Sequence, residues 1–189
     1  MVKHKVAFTL VELLVVMTII NLLSSVVLVS ANSARFKARM VQRVTNLREI
    51  QKALELYNLK NDSYPTTGGA WYSECTGGGF TAQPKNQWVP QIVPQYLRGL
   101  PTDPFMDPVA AKSCYAYRSD SSGKDYKLML YLILDNGGAL DQNEYLNYPQ
   151  LLDPRRDKDQ SSTHQCTVET SGTSDVLAWA IYTQGACAW

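Results

Sequence analysis

The stretch from Ala7 to Ile20, AFTLVELLVVMTII, decides how this chain is read. It opens a run from Phe8 to Ala31 that is almost continuous hydrocarbon, broken by one carboxylate, Glu12, and a few small polar residues. About 24 residues suffice to span a bilayer, which needs roughly 20. An acidic side chain near the bilayer centre costs on the order of 2.5 to 3.5 kcal/mol. Glu12 is therefore either a residue that snorkels towards the head groups or a functional group with a partner to be named.

Three uses of the segment compete: a cleaved secretory signal, a permanent anchor, and an anchor that also polymerises. Lys3 and Lys5 suit all three. Val29 and Ala31 offer a small-x-small cleavage site before Asn32. The apolar run, however, exceeds the usual 7 to 15 residues of a secretory signal, and such a signal gains nothing from a carboxylate.

A short basic leader, then Phe8, then Glu12 four residues on, resembles the class III signal of type IV pilins and pseudopilins. The resemblance implies that a prepilin peptidase cuts between Ala7 and Phe8 and that the new amino group of Phe8 is methylated. The family usually has Gly before the cut. Ala7, the smallest replacement, predicts slower cleavage. Independently of the family, a cationic amine on Phe8 would lie about 6 Å along a helix from Glu12, at 1.5 Å per residue. A neighbouring helix shifted by a turn or two would bring that amine beside Glu12 and neutralise both charges in low dielectric, which favours staggered helical assembly.

Beyond the apolar run the pattern becomes amphipathic. Phe36, Met40, Val44, Leu47, Ile50, Leu54 and Tyr57 recur at helix period, with Lys37, Gln42, Asn46, Glu49 and Lys52 on the opposite side. No Pro or Gly interrupts before Pro65. One helix from about Phe8 to about Lys60, roughly 80 Å long, is expected; a membrane helix followed by a separate amphipathic one is the alternative. Asn21 and the pair Ser24 and Ser25 could mark a kink or a polar contact.

The 189 residues carry a net charge of +1 with 45% hydrophobic and 19% charged residues, enough for one ordinary domain plus an attachment. Disorder and generic nucleic-acid binding are both disfavoured by that balance. The charge is uneven: Arg35 to Lys60 holds seven Lys/Arg against two Asp/Glu, while Asn61 onward holds nine against fourteen. A basic stem carries an acidic head. The positive-inside rule sets Lys3 and Lys5 against Arg35, Lys37, Arg39 and Arg43, and by itself favours a cytoplasmic head.

The cysteines argue the other way. Cys75, Cys114, Cys166 and Cys187 are even in number and lie in loop-rich surroundings, the pattern of disulfides in an oxidising space. Of three connectivities, Cys75 with Cys114 and Cys166 with Cys187 enclose local loops and are preferred. The second resembles the C-terminal disulfide loop of many pilins. Zinc is disfavoured, because there is no CxxC and His164 is the only histidine outside the leader.

In the head, Tyr64 and Pro65 stop the helix, and a Gly- and Pro-rich stretch follows to about Val109, with short helical turns expected around Gln87 to Gly99. Ser113 to Ser119 alternates as a strand, DSSGK supplies a turn, and Tyr126 to Leu134 reads as a central strand. Val176 to Thr183 is a third. The expected fold class is α+β: a long N-terminal helix, transmembrane and then amphipathic, packed on a small antiparallel sheet.

YPTT at Tyr64, YLRGLPTDPF at Tyr96, then Tyr115, Tyr117 and YKL at Tyr126 are similar, in order and spacing, to the major pseudopilin of type II secretion. The likeness covers about Phe8 to Gly137; the last fifty or so residues look like an extension. It implies a calcium site after the last hairpin, where LDNGGALDQNE stands, with Asp135, Asp141, Asn143 and Glu144 as candidate oxygen ligands and calcium as the candidate cofactor. A solvated acidic turn is the alternative, and the spacing is not that of an EF-hand.

Nothing resembles a catalytic motif: there is no GxSxG, P-loop or HExxH. Trp71, Trp88, Trp179 and Trp189 could stack on sugars or bases, although core packing explains such residues more often. The expected organisation is a leader at 1–7, a transmembrane and polymerising half-helix at 8–31, an amphipathic half-helix at 32–62, an αβ loop region at 63–112 and a sheet with a disulfide-bearing extension at 113–189. The resemblance implies a non-enzymatic subunit of a type IV pilus or type II secretion pseudopilus, anchored in the cytoplasmic membrane with its head outside and then drawn into a helical filament. Implied partners are copies of the chain, prepilin peptidase, an assembly ATPase, a platform membrane protein and minor pilins, with no nucleic acid. The alternative is a secreted or anchored, disulfide-stapled binding module that does not polymerise.

Overall fold

The structure, a computed structural model, describes residues 9–135, 138–140, 144, 147–153, 178–187 and 189, with side chains except at 26–30 and 138–139. Helix α1 runs over Leu10–Asn61, as the absence of Pro and Gly and the apolar periodicity predict. The chain divides into two compact units, Met1–Gln42 and Arg43–Trp189.

From Leu10 to Leu23 the apolar side chains point into open space all round the helix: Leu10 is 81% exposed and Leu22 70%. Among the described residues no helix is long and apolar enough to cross a membrane.

In the second unit the helix buries Leu47, Ile50, Ala53, Leu54 and Tyr57, the expected stripe. Each such aliphatic side chain stabilises by about 1.5–3 kcal/mol when fully buried. Facing the stripe are β3 (Cys114–Ser119) and β4 (Tyr126–Tyr131), and β7 (Ala178–Tyr182) continues the sheet beyond β4. Their inward residues tie to the helix directly: Asn46 Nδ2 donates to the Tyr115 hydroxyl at 3.1 Å, and the Tyr126 hydroxyl donates to Glu55 at 3.4 Å. Asn46, expected on the solvent side, instead faces the sheet.

The five-stranded sheet has the order β2-β1-β3-β4-β7, with β1 at Tyr72–Ser73 and β2 at Thr81–Ala82. It is mixed, a correction to the all-antiparallel expectation: β1 and β2 pair in parallel, all other neighbours antiparallel. The loop between them holds Gly78 and Gly79 at positive φ and is anchored at Cys75, so the chain reverses and comes back beside β1 in the same direction. Thr81 N–H then donates to the Trp71 carbonyl at 2.7 Å.

The expected long strand to Leu134 breaks in two. Leu132 adopts φ 44°, and β4 ends at Tyr131 before a separate pair forms between β5 (Leu134–Asp135) and β6 (Gly138–Ala139). The helical turns expected around Gln87 to Gly99 reduce to turns, one of them closed by Tyr96 N–H donating to the Ile92 carbonyl at 2.9 Å.

The sheet is covered on its other face too. Ala116, Met129 and Ala180 form a buried cluster against Trp71, Phe80, Tyr131 and Tyr182. Beside it Cys75, Ala111 and Cys114 pack with Phe80 and Met106. Burial on both faces explains why β4 reads as a continuous apolar run rather than an alternating one.

Candidate functional site

Glu12 lies in the first turn of α1 and is exposed. Its Oε2 accepts from the Thr9 backbone N–H at 2.9 Å and from the Thr9 hydroxyl at 2.7 Å, while Glu12 N–H donates back to Thr9 Oγ1 at 3.3 Å. This reciprocal pair is a capping box, Thr-x-x-Glu, which satisfies amides that the helix start would otherwise leave open. The spacing of Thr9 and Glu12 carried that signal, and the reading of Glu12 as an assembly group passed over it. Oε1 takes no hydrogen bond among the described residues. Ala7 and Phe8, the candidate cleavage and methylation positions, lie outside the described residues.

Arg43, counted in the sequence as one more basic residue beside the span, is instead buried. Its Nε donates to Asp103 Oδ2 at 2.6 Å and its Nη2 to Asp103 Oδ1 at 3.0 Å, a two-point pair. The same Nη2 donates to the Leu134 carbonyl at 2.6 Å. Asp135 Oδ1 stands 4.0 Å from Nη1. One guanidinium thus fastens the helix to the loop after Leu100 and to β5, and one of the charges that weighed towards a cytoplasmic head is neutralised inside the protein.

That placement bears on the candidate calcium ligands. Asp135 faces Arg43, which already supplies a cation. Glu144 is half-buried, and Asp141 and Asn143 lie outside the described residues. Among the described residues no group of three or more His, Cys, Asp or Glu is placed to hold a metal ion. The acidic stretch keeps the oxygen chemistry of a hard-cation site, and Asp135 within it also faces Arg43.

Cys75 and Cys114 form a disulfide, as the sequence predicts, with Cα atoms 6.2 Å apart. It underpins a tightly tied loop in which Asp107 and Lys112 exchange backbone hydrogen bonds of 2.9 and 3.0 Å. Cys187 is disulfide-bonded; Cys166 lies outside the described residues.

Of the tryptophans, Trp88 and Trp179 are fully buried core. Trp71 and Trp189 flank Arg118 with their ring centroids 5.9 and 4.9 Å from its guanidinium carbon. A second buried cation, Lys127, went unread in the sequence because it sits within an apolar strand: its Nζ donates to Asp153 Oδ1 at 2.7 Å, and both side chains are fully buried.

A helix begun by an acid-bearing apolar segment and packed through its second half on a small disulfide-tied sheet defines a pilin-like chain. Residues 31–144 match the family described as type II secretion system (T2SS), protein G. The chain belongs to that family, the major pseudopilins. It is 32% identical over 107 residues to the type II secretion system core protein G of Dickeya chrysanthemi, covering 56% of this chain and 66% of that one. Against the core protein G of Pseudomonas aeruginosa it is 30% identical over 106 residues, covering 56% and 72%. With the Escherichia coli protein of the same name it shares 38% over 60 residues, covering 32% and 41%. The chain thus spans about two thirds of the length of the first two relatives. No solved structure matches it.

Proposed function

We propose that this chain is a structural subunit of a type II secretion pseudopilus, cleaved between Ala7 and Phe8, methylated on Phe8 and assembled into a helical filament. The observation that supports this most is the start of the helix, whose apolar side chains from Leu10 to Leu23 are exposed on every side while Glu12 is the only charged residue between Lys5 and Arg35. Such a surface needs a lipid or a helical neighbour around it. Before assembly the segment around Phe8 to Ala31 anchors the chain in the cytoplasmic membrane with the disulfide-bearing head outside. In the filament, neighbouring helices replace the lipid.

Glu12 has a double duty in this reading. In the single chain its Oε2 caps the helix through Thr9. Oε1 remains to accept the Phe8 amine of a neighbour, so the ion pair forms without undoing the cap. The chain performs no chemistry of its own. Its partners are further copies, minor pseudopilins, prepilin peptidase, an assembly ATPase and a platform protein. Asp135, Asp141, Asn143 and Glu144 are the candidate donors for calcium, with Asp135 also facing Arg43. The working divisions are the leader 1–7, the two half-helices 8–31 and 32–62, the loop region 63–112 and the sheet with its extension, 113–189.

The test is Glu12→Ala and Glu12→Val in the native host. Both variants remain in the membrane and are processed, and their yield in sheared filaments drops. Filament yield equal to that of the wild type would overturn the proposal.

A further inference from the structure

Four basic residues follow the apolar run, and one of them, Arg43, pairs inside the protein with Asp103. Arg35 and Lys37 are exposed and take part in no hydrogen bond or ion pair among the described residues, and Arg39 is half-buried. The three come four, six and eight residues after Ala31, the end of the run, and so stand about 6, 9 and 12 Å along the helix from it. Helical side chains tilt towards the N-terminus, so the charged ends of these long side chains reach back towards the run. At about 100° per residue, Lys37 lies about 200° round the axis from Arg35, and Arg39 about 40° from it. Cations therefore occupy opposite sides of little more than one helical turn.

No carboxylate of the same segment answers them. Between Phe8 and Gln42 the only acidic residue is Glu12, about 35 Å back along the axis from Arg35, and the next in the chain is Glu49. With the head outside, these cations also lie on the side of the membrane from which the positive-inside rule tends to exclude Lys and Arg. An anionic layer around the helix offsets that cost.

We infer that Arg35, Lys37 and Arg39 form a basic collar that binds the phosphate groups of anionic phospholipids in the outer leaflet of the cytoplasmic membrane. The inference rests on the membrane anchoring proposed above and names the lipid class that the anchored chain holds. The polar layer on each side of a bilayer is about 5–7 Å deep, so side chains that reach back from 6 to 12 Å beyond the run end in it or beside it. Each Lys or Arg near an anionic surface strengthens binding about fivefold, an attraction that fades within a Debye length of about 8 Å. Head groups surround a helix on every side, which suits cations 200° apart better than one face of a protein partner does.

The test reconstitutes the full-length protein in vesicles of equal parts phosphatidylglycerol and phosphatidylcholine and uses spin-labelled probes of both lipids to measure which the protein holds. At low salt the wild type holds the anionic probe about fivefold more strongly, and about 1 M sodium chloride brings the ratio close to one. Arg35→Gln with Lys37→Gln, both at exposed positions, lowers the ratio, whereas the control Lys3→Gln with Lys5→Gln leaves it above that of the collar variant. A ratio near one in the wild type, a ratio unmoved in the collar variant, or a loss confined to the leader control would each overturn the inference. So would a collar variant that loses filament yield at an unchanged lipid ratio, which would assign these charges to a neighbouring subunit. Flotation with pure phosphatidylcholine vesicles separates the two readings: a chain that floats without an anionic preference keeps the anchoring and sinks the collar, and a chain that does not float sinks both.

Discussion

Arg43 of the helix and Asp103 of the following loop form a two-point ion pair, with N–O distances of 2.6 and 3.0 Å and neither side chain more than 2% exposed. The partners lie sixty residues apart in sequence, and the pair fixes the loop against the helix. Asp103 Oδ1 also accepts from the Phe105 amide at 2.9 Å, so the carboxylate shapes its own loop as well. Asp103→Ala leaves a guanidinium buried with its main counter-ion gone and should lower stability by about 3–5 kcal/mol. Replacing both partners by Met and Leu should cost much less than the sum of the single changes. Denaturant unfolding of the four variants checks this as a double-mutant cycle.

The Cys75–Cys114 bridge closes a loop with a sequence separation of 39. By the chain-entropy relation it contributes about 4 kcal/mol. Cys75→Ser with Cys114→Ser should lower the melting temperature and speed proteolysis near Asp107, while leaving circular dichroism of the helix unchanged at low temperature.

Tyr64 has its hydroxyl pushed up to about 12, first by burial and then by the Glu55 carboxylate that it donates to at 3.1 Å. Its ordinary value is 10.0. The folded group therefore keeps its proton where the unfolded group loses it. The stability it contributes is fully present below pH 10 and is lost as pH rises towards 12. Burial raises Tyr115, Tyr117 and Tyr126 in the same direction. Alkaline titration of unfolding should show a fall beginning near pH 10, less steep in Tyr64→Phe.

Gly123 turns the β3–β4 hairpin at φ +69°, and its carbonyl accepts from Tyr64 N–H at 2.7 Å. A Cβ there would stand 2.6 Å from the Tyr64 carbonyl oxygen. Gly123→Ala should cost about 1–3 kcal/mol, since it adds a left-handed strain to a backbone collision. Thermal unfolding measures it.

Calcium at millimolar concentration should raise the melting temperature and a chelator should reverse the rise, as for any ligand bound only by the folded state. Asp141→Ala should abolish the calcium response with little effect in its absence. Asp135→Ala should lower stability even without calcium, because Asp135 faces Arg43.

Much of the fold was legible in the sequence because periodicity reports burial. Leu47, Ile50, Leu54 and Tyr57 are spaced for one helix face, and that face is buried. The Cys75–Cys114 pairing was readable as a local loop. Arg43 and Lys127 were not, because a charged residue in an apolar pattern looks like a solvent-facing gap until its distant counter-ion, Asp103 or Asp153, is known. The parallel β1–β2 pair was equally hidden: two strands of two residues leave no alternation to read. At the candidate site, Glu12 stood out by its cost in an apolar run, whereas its bond to Thr9 depends on where the helix begins, the least legible boundary of all.

The sheet's burial on both faces, under the helix on one side and Trp71 and Phe80 on the other, restricts where this protein can change. A substitution on β3 or β4 disturbs one packed layer or the other, whichever way its side chain turns. Tolerated change is thereby channelled into loop tips and exposed helix positions.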